Sequence, residues 1–379
     1  MYESKYQAAR LVSAQIKEHF AHHLSAARER GDENLAPEPD TEAIEAILDA
    51  AFWASLRKEE GHATRISIAY LSPEQAEQPL IFTHKLELTP EILTKLSPGV
   101  ERPGVYLGVW QEGDRLYIWG TTTKIPYLCF ILDVSEPGLL VIKHRRANGF
   151  GKFTNVAVLS GDQIKMVNEQ NTDLDGCPIA LRSLLGLNSP GDPVIMVNPL
   201  IQLAVSMRAH QRGGTLLVVP STSDRWWSSL IHPVKYSITP PYTGLAELMR
   251  LDISERTDSH WQALLRTELE SLAGLTAVDG ATVINDRYEL MAFGAKIGRT
   301  DGNARVEKMY YHEPVMGAPA STISPAQSGG TRHLSAAQFV HDQRDSLALV
   351  ASQDGHFTVF AWLPGKEMVQ AYRIDSLLL

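Results

Sequence analysis

Residues 276–284 read TAVDGATVI, and the architecture of the C-terminal half follows from this segment. Ala281 to Ile284 form a short, mostly apolar run, which is typical of a buried strand. A helix over Trp261 to Leu272 is predicted just before it. Asp279 therefore lies at the mouth of a strand, beside Gly280, where the backbone can come close to a ligand. An Asp-Gly pair is also a common turn, so this segment alone does not identify a site.

A second segment, residues 329–333, reads GGTRH and precedes a predicted helix. Its two glycines let the backbone wrap around a phosphate, and a helix start presents free N–H groups to an anion. Arg332 adds guanidinium donors that suit phosphate oxygens, and His333 can bind phosphate or assist proton transfer. The alternative is an ordinary helix start that follows a loop.

The elements around these two segments alternate between helix and strand. Apolar strands are predicted over Thr215 to Val219 and over Leu347 to Ala351. The second strand leads into SQDG, residues 352–355, which is either a hairpin turn or the rim of a pocket that includes Ser352 and Asp354. The alternation predicts an α/β domain over residues 193–379, with a mixed sheet flanked by helices.

Along the N-terminal half, the apolar spacing changes from helical to strand-like. Residues 4–30 are predicted to form an amphipathic helix, and Thr41 is predicted to cap a second one. Apolar residues then alternate with period two, first over residues 65–70, in short strands joined by turns. We therefore expect N-terminal helices over residues 1–62 and a β-rich α+β domain over residues 63–192.

Three patterns in this half resemble ligand sites but have simpler explanations. His19, His22 and His23 share one side of the predicted helix, yet no zinc signature runs through them, which favours a solvated helix face. GFGK at residues 149–152 resembles a phosphate loop but lacks its first glycine and its Ser or Thr. NTDLDG at residues 171–176 resembles a calcium loop without its last acidic ligand.

Composition and charge limit the classes of protein. The chain has 379 residues, 44% hydrophobic and 21% charged, as expected for a globular protein with a large core. The formal net charge of -9 argues against a nucleic-acid partner, although a local basic pocket for phosphates is compatible with it. The two cysteines, Cys129 and Cys177, fit a reducing cytoplasm. No apolar run is long enough to span a bilayer, so we expect no membrane association.

Together, the Asp-Gly-Ala turn at residues 279–281 and the Gly-Thr-Arg-His loop at residues 330–333 resemble the motifs of the diadenylate cyclase (DAC) domain family. The strand Gly214 to Val219, with the helix before it, resembles the opening segment of that domain. The resemblance covers roughly the last half of the chain. Residues 221–241 and the β-rich part before them look like the divergent branch with a sensor domain of the DACNV type.

The resemblance implies a metal-assisted adenylyl transfer that joins two ATP molecules into cyclic di-AMP and releases pyrophosphate. Asp279 would be the metal ligand, for Mg²⁺ or Mn²⁺, and would hold the attacking hydroxyl, while Arg332 and His333 complete the catalytic set on the phosphates. The other nucleotide-binding residues would be Gly280, Ala281, Ile297, Gly330, Thr331 and Ser352. Because one domain binds one ATP, ring closure implies a homo-oligomer with face-to-face cyclase domains.

Two positions depart from the family pattern. Leu334 stands where the family has a second arginine, and Gln353 stands where many members have a carboxylate. Leucine offers neither charge nor hydrogen bond in place of a guanidinium. The candidates for supplying the missing charge are Lys296, Arg299 and Arg344.

These departures leave three hypotheses open. The first is an active synthase that the N-terminal domain regulates, and the second is a catalytically degenerate module that binds nucleotide and passes on a signal. The third is an unrelated interaction protein, in which Trp110 and Trp119 could form a partner surface. Core packing is the preferred interpretation of those two tryptophans.

Overall fold

The computed structural model describes residues 5–146, 153–167, 198–252 and 255–378. The chain forms two compact units, one within residues 1–168 and the other within residues 169–379. The predicted boundary at residue 192 lies outside the described residues and stays a prediction.

The first unit combines three helices with an eight-stranded sheet. The helices are α1 (Gln7–Glu29), α2 (Thr41–Ser55) and α3 (Pro90–Val100). A short hairpin, β1 (Lys58–Glu59) and β2 (His62–Ala63), follows α2. The sheet strands are β3 (Ile66–Tyr70), β4 (Leu80–Glu87), β5 (Tyr106–Glu112), β6 (Arg115–Thr122), β7 (Phe130–Glu136), β8 (Leu139–Arg145), β9 (Phe153–Ser160) and β10 (Gln163–Met166). They are ordered β10-β9-β8-β7-β3-β5-β6-β4, and the one parallel pair among these strands is β3 with β5.

One apolar core joins the helices to one face of this sheet. Ile16 of α1 and Ile44 of α2 are fully buried together with Ile68 and Leu132 of the sheet. Each such side chain contributes roughly 1.5–3 kcal/mol by leaving water. The N-terminal helices and the sheet therefore belong to the same folded unit, which confirms the predicted β-rich α+β class.

The two tryptophans of this sheet differ in exposure. Trp119 is 1% exposed and donates a hydrogen bond from its indole N–H to the carbonyl of Leu71, at 2.8 Å. Trp110 is half-buried against Tyr70, with 4.9 Å between the ring centroids. Both rings pack in the unit, so the core interpretation is confirmed for Trp119 and holds in part for Trp110.

The start of α2 lies one residue earlier than the sequence suggested. The cap is Asp40, whose side chain accepts a hydrogen bond from the N–H of Ala43 at 2.6 Å. Thr41, the predicted cap, is the first residue of the helix. Both residue types cap helices well, and here the carboxylate of Asp40 reaches the free N–H group of Ala43.

The histidines of α1 are not a uniformly solvated face. His22 is exposed, as predicted, but His19 and His23 are half-buried and turn toward His144 of β8. The ring centroids are 4.3 Å apart for His19 and His23, 5.5 Å for His19 and His144, and 5.6 Å for His23 and His144. The interpretation was wrong for His19 and His23 because the sheet that covers them lies more than a hundred residues away in sequence.

The second unit is a nine-stranded mixed sheet with helices. Its helices are α4 (Pro199–Ala209), α5 (Gly244–Arg250), α6 (Ser259–Thr276), α7 (Pro325–Ser328) and α8 (Thr331–Asp342). Its strands are β11 (Gly214–Val219), β12 (Tyr236–Tyr242), β13 (Ala281–Asn285), β14 (Leu290–Ala295), β15 (Met309–His312), β16 (Ser321–Ile323), β17 (Leu347–Ala351), β18 (Phe357–Leu363) and β19 (Met368–Arg373). The order is β12-β14-β13-β11-β17-β18-β19-β15-β16.

Helices cover both faces of this sheet. On one face, Leu203 of α4 and Leu265 of α6 pack with Leu216 and Leu349. On the other face, apolar residues of α8 such as Phe339 pack against the alternate residues of the same strands. Because successive strand residues point to opposite faces, a strand covered on both faces is buried throughout, as β11 and β17 are. This arrangement confirms the predicted mixed sheet flanked by helices.

Two further expectations concern loops and membranes. GFGK at residues 149–152 and NTDLDG at residues 171–176 lie outside the described residues. In the part of the chain that the structure describes, no helix is both long enough and apolar enough to cross a bilayer.

Candidate functional site

The ends of several neighbouring strands lie side by side along one side of the second sheet. We call this row of strand ends the site edge. β11 and β13 are parallel, so Thr215 and Ala281 near their starts are paired. β17 is antiparallel to β11, so its last residue, Ala351, pairs with Gly214. β14 is antiparallel to β13, and its last residue, Ala295, pairs with Ala281. The site edge therefore collects the residues before β11 and β13 and those after β14 and β17.

Asp279 reaches solvent at the site edge and pairs with Lys296. Asp279 precedes β13 by two residues and Lys296 follows β14 directly, so the pairing of these strands brings the two together. Nζ of Lys296 donates a hydrogen bond to Oδ2 of Asp279. This bond and the lysine charge hold the pKa of Asp279 below its usual value, and the charge of Arg332 acts in the same direction. The carboxylate is therefore ionised at neutral pH.

Gly280 allows β13 and β14 to approach closely beside this carboxylate. Its φ is +119°, a conformation that side chains rarely adopt. A Cβ at this position would lie 2.4 Å from the carbonyl carbon of Gly294. Gly294, with φ of +60°, in turn lies against the ring of Tyr236. The Asp-Gly pair is thus part of a tight junction between two strands.

Arg332 lies in the first turn of α8, at the same edge. The N-cap residue of this helix is Gly330, which has no side chain to satisfy the first N–H groups. Thr331 is exposed, and Arg332 is half-buried. A Cβ at Gly213, the residue before β11, would lie 3.1 Å from Nη1 of Arg332. The guanidinium is therefore next to the start of β11, the strand that pairs with the one entered through Asp279.

His333 is buried, although the sequence led us to expect that it contacts the phosphates. It is 3% exposed, its Nε2 lies 3.3 Å from the hydroxyl of Thr358, and its ring packs edge-on against Phe360. Burial lowers the pKa of His333 to about 4, so the ring is neutral at pH 7. A Cβ at Gly329 would lie 2.5 Å from Nδ1 of the ring. His333 thus supports the loop from beneath, and a phosphate contact would require the ring to rotate out of the core.

The predicted pair of Ser352 and Asp354 belongs to a charged network whose other members were missed from the sequence. The hydroxyl of Ser352 donates a hydrogen bond to Asp354, which also lies 3.8 Å from Nε2 of His356. Arg373, at the end of β19, donates to His356 and, at 2.9 Å, to Oδ1 of Asp375. The network depends on the antiparallel pairing of β17, β18 and β19, so no short sequence motif predicts it. It places Ser352 at the site edge with its hydroxyl already bonded to a carboxylate.

The other predicted contacts occupy different environments. Ala281 is buried as the first residue of β13. Ile297 forms a β-bridge with Leu230 and is half-buried against one of the sheet's apolar clusters. Gly330 is exposed in the loop before α8. The backbone is therefore accessible to a ligand at residue 330. Ala281 is buried in β13 and can only form part of the floor beneath a ligand.

A divalent metal ion fits this site only in company with a substrate. Across the described ranges, no group of three or more His, Cys, Asp or Glu side chains is arranged to hold a metal ion. Asp279 offers an ionised carboxylate whose side chain is 90% exposed. Mg²⁺ commonly binds through one or two carboxylates, waters and substrate phosphates, so a single carboxylate is compatible with it. Asp279 would hold the ion, and Lys296 would have to give up its bond to Oδ2.

Parts of this chain match one family model and several solved structures. Residues 33–123, less than half of the chain, match the family model described as "Probable sensor domain DACNV". This confirms the predicted resemblance for that stretch, which runs from before α2 to just after β6. No curated protein matches the chain.

Among the solved structures that match is DacA from Staphylococcus aureus, crystallised as a double mutant. The identity is 15%, and the match covers 46% of this chain and 83% of that chain. The TM-score of 0.23 is too low to carry an argument about the fold or the site. The resemblance of residues 193–379 to the DAC domain thus stays a prediction that rests on the motifs.

Proposed function

We propose that the second unit is a diadenylate cyclase-like nucleotidyltransferase, and that the unit containing residues 33–123 regulates it. The observation that carries this proposal is the meeting of Asp279 and the Arg332 helix start at one sheet edge, from positions fifty residues apart. An ionised carboxylate beside a helix N-terminus and a guanidinium matches the needs of a metal-bound triphosphate.

The proposed reaction joins two ATP molecules symmetrically. Each 3′-hydroxyl forms a bond to the α-phosphorus of the other nucleotide, and each bond between an α-phosphorus and its bridging oxygen breaks. The products are cyclic di-AMP and two pyrophosphates. Phosphoryl chemistry of this kind needs alignment and charge neutralisation more than covalent help. A bound Mg²⁺ or Mn²⁺ would neutralise charge on the phosphates and favour ionisation of the hydroxyl.

Within this proposal the residues of the chain have separate tasks. Asp279 would hold the metal ion near the attacking hydroxyl, and Arg332 with the free N–H groups at the start of α8, such as that of Thr331, would bind the phosphates. Gly280 keeps the floor low enough for a ribose. His333 acts from beneath as a positioning residue for the loop, which revises its expected role as a phosphate contact.

The direct test is product formation by the purified full chain. With ATP and Mn²⁺ or Mg²⁺, we expect cyclic di-AMP by mass spectrometry, and Asp279→Asn should lower its rate by about a hundredfold or more because a metal ligand is lost. Asp301→Asn is the matched control, because it removes an exposed carboxylate from a turn elsewhere in the unit. Absence of product from the wild-type chain with both metals would contradict the proposed activity.

A second candidate function is a module that binds nucleotide without turnover. Leu334 and Gln353 favour it, because the first removes a phosphate donor and the second a carboxylate. This candidate predicts that ATP raises the melting temperature, since ligand at a hundred times Kd stabilises by about 2.7 kcal/mol. Stabilisation without product identifies the module, and stabilisation with product identifies the enzyme.

A further inference from the structure

The site edge carries an exposed lysine besides Arg332. Lys296 is 53% exposed at its side chain and bonded to Asp279. The sequence left Lys296, Arg299 and Arg344 as equal candidates for the charge that is missing at Leu334. The structure separates them by position.

The backbone holds Lys296 in place on both sides. Its carbonyl accepts a hydrogen bond from the N–H of Ile231 at 2.8 Å, and the next residue, Ile297, forms a bridge with Leu230. On the other side, Ala295 pairs with Ala281, where Gly280 lets the strands approach closely. The stem of Lys296 therefore starts from a fixed point, while its ammonium remains in solvent.

The two other candidates lie in other parts of the unit. The guanidinium of Arg344 stacks 4.0 Å over the ring of Trp362, and Arg344 precedes β17, at the end of that strand opposite the site edge. Arg299 is exposed next to Thr300, whose N–H donates to Asp342 at the far end of α8. Arg373 does lie at the site edge, but its donors already serve His356 and Asp375.

We propose that Lys296 is a phosphate-binding residue of the site and supplies the positive charge that Leu334 lacks. The inference rests on the proposed function, because it needs a polyphosphate at Arg332. In the nucleotide-free chain, Lys296 neutralises Asp279. With nucleotide and metal bound, the Asp279 carboxylate would hold the ion, and the Lys296 ammonium would turn to the phosphates.

The exchange is physically easy for this pair. Both side chains are largely exposed, so water and salt screen their attraction and little holds the lysine to the carboxylate. Lysine carries a compact charge on a flexible four-carbon stem, so it can reach a new partner without backbone movement. A charge-assisted bond to phosphate is shorter and stronger than a neutral one.

The test compares nucleotide affinity across ligands that differ in phosphate number. Binding of ATP and of adenosine to the full chain is measured by calorimetry, with Mn²⁺ present. Lys296→Ala should weaken ATP binding by about tenfold and leave adenosine binding unchanged, because one charge-assisted contact is lost. Lys296→Arg should retain most of the ATP affinity. Arg305→Ala, which removes an exposed cation from the loop held by Gln338, is the matched control.

A charge placed elsewhere provides the rescue. Adding Leu334→Arg to Lys296→Ala should restore much of the ATP affinity, since position 334 is half-buried in the first turn of α8. An unchanged ATP affinity in Lys296→Ala would overturn the inference and leave the proposed function standing. An equal loss of affinity for ATP and for adenosine would overturn it too, since this result would give Lys296 a structural or base-binding role. A wild-type chain that binds no ATP would overturn both.

Discussion

At the scale of single residues, backbone geometry explains why the Asp-Gly pair can precede β13. A glycine with φ of +119° lies where any side chain would strike the backbone of Gly294, at 2.4 Å for the first carbon. The contact cannot be relieved by rotating a side chain, because the atom that it meets belongs to the peptide. Strain at a special φ and overpacking each cost about 1–3 kcal/mol.

Gly280→Ala should therefore destabilise the chain by about 2–4 kcal/mol and displace Asp279 from Lys296. The measurement is the free energy of unfolding from urea titration. Gly274→Ala is the matched control, because its Cβ meets nothing within 4 Å inside α6 and should stabilise by up to about 1 kcal/mol. Equal stability of the two variants would show that the strand junction relaxes more easily than the close contact with Gly294 implies.

At the scale of elements, α1 meets β8 through imidazoles without acidic partners. Burial lowers the pKa of His19 to about 3 and that of His144 to about 4, and burial also lowers the pKa of His23. The charged groups that act on the cluster are the other histidines with Arg30 and Arg146, all of which oppose a further positive charge. The helix packs on the sheet in the neutral state of these rings.

The pH dependence of stability follows from these directions. Unfolded histidine has a pKa near 6.5, whereas the pKa of folded His144 is about 4. Between these two pH values the histidine is protonated in the unfolded chain and neutral in the folded chain. The free energy of unfolding is therefore highest above pH 6.5 and decreases as the pH drops toward 4, by about 3 kcal/mol for His144 alone.

Urea titrations of wild type and His144→Phe at about pH 7 and about pH 4.5 measure this effect. The variant keeps an aromatic ring beside Phe20 and Phe130 but cannot titrate, so it should lose less stability on acidification. His84→Gln, at an exposed position of β4, should respond to pH like the wild type. A parallel response of wild type and His144→Phe would show that other groups dominate the acid sensitivity.

Elements were more predictable from sequence than the contacts between them. β17 has its predicted limits, Leu347 to Ala351, because a run of buried apolar residues between polar ones defines a strand locally. β12 was missed because Pro240 and Pro241 usually exclude a strand, and it survives at the sheet edge. The pairing of Lys296 with Asp279 depends on the register between two strands, which no single segment encodes.

The burial of His333 likewise depends on β18, which supplies Thr358 and Phe360. From the sequence, a histidine after Thr-Arg at a helix start is a plausible phosphate ligand. In the helix, the residue two positions after Thr331 turns toward the sheet, since the buried residues of α8 recur as His333, Ala336, Ala337 and Val340. The same periodicity that predicts the helix therefore could have placed His333 in the core.

At the scale of the whole molecule, the proposed reaction requires more than one chain. A site with one helix start, one carboxylate and one Arg332 serves one triphosphate, whereas the ring contains two nucleotides that attack each other. Two copies must bring their bound nucleotides together, so the rate should depend on the concentration of paired chains. Specific activity should therefore rise with protein concentration and level off once pairing is complete.

Mixing experiments test this requirement with chains that still pair. Excess Asp279→Asn added to a fixed amount of wild type should lower the wild-type rate, because most wild-type chains then face a partner that cannot hold its metal. At a tenfold excess, random pairing leaves about one wild-type chain in eleven with an active partner, so the rate should fall by about tenfold. An equal excess of an unrelated protein should leave the rate unchanged. A wild-type rate that persists under excess Asp279→Asn, with specific activity independent of concentration, would mean that one chain closes the ring alone.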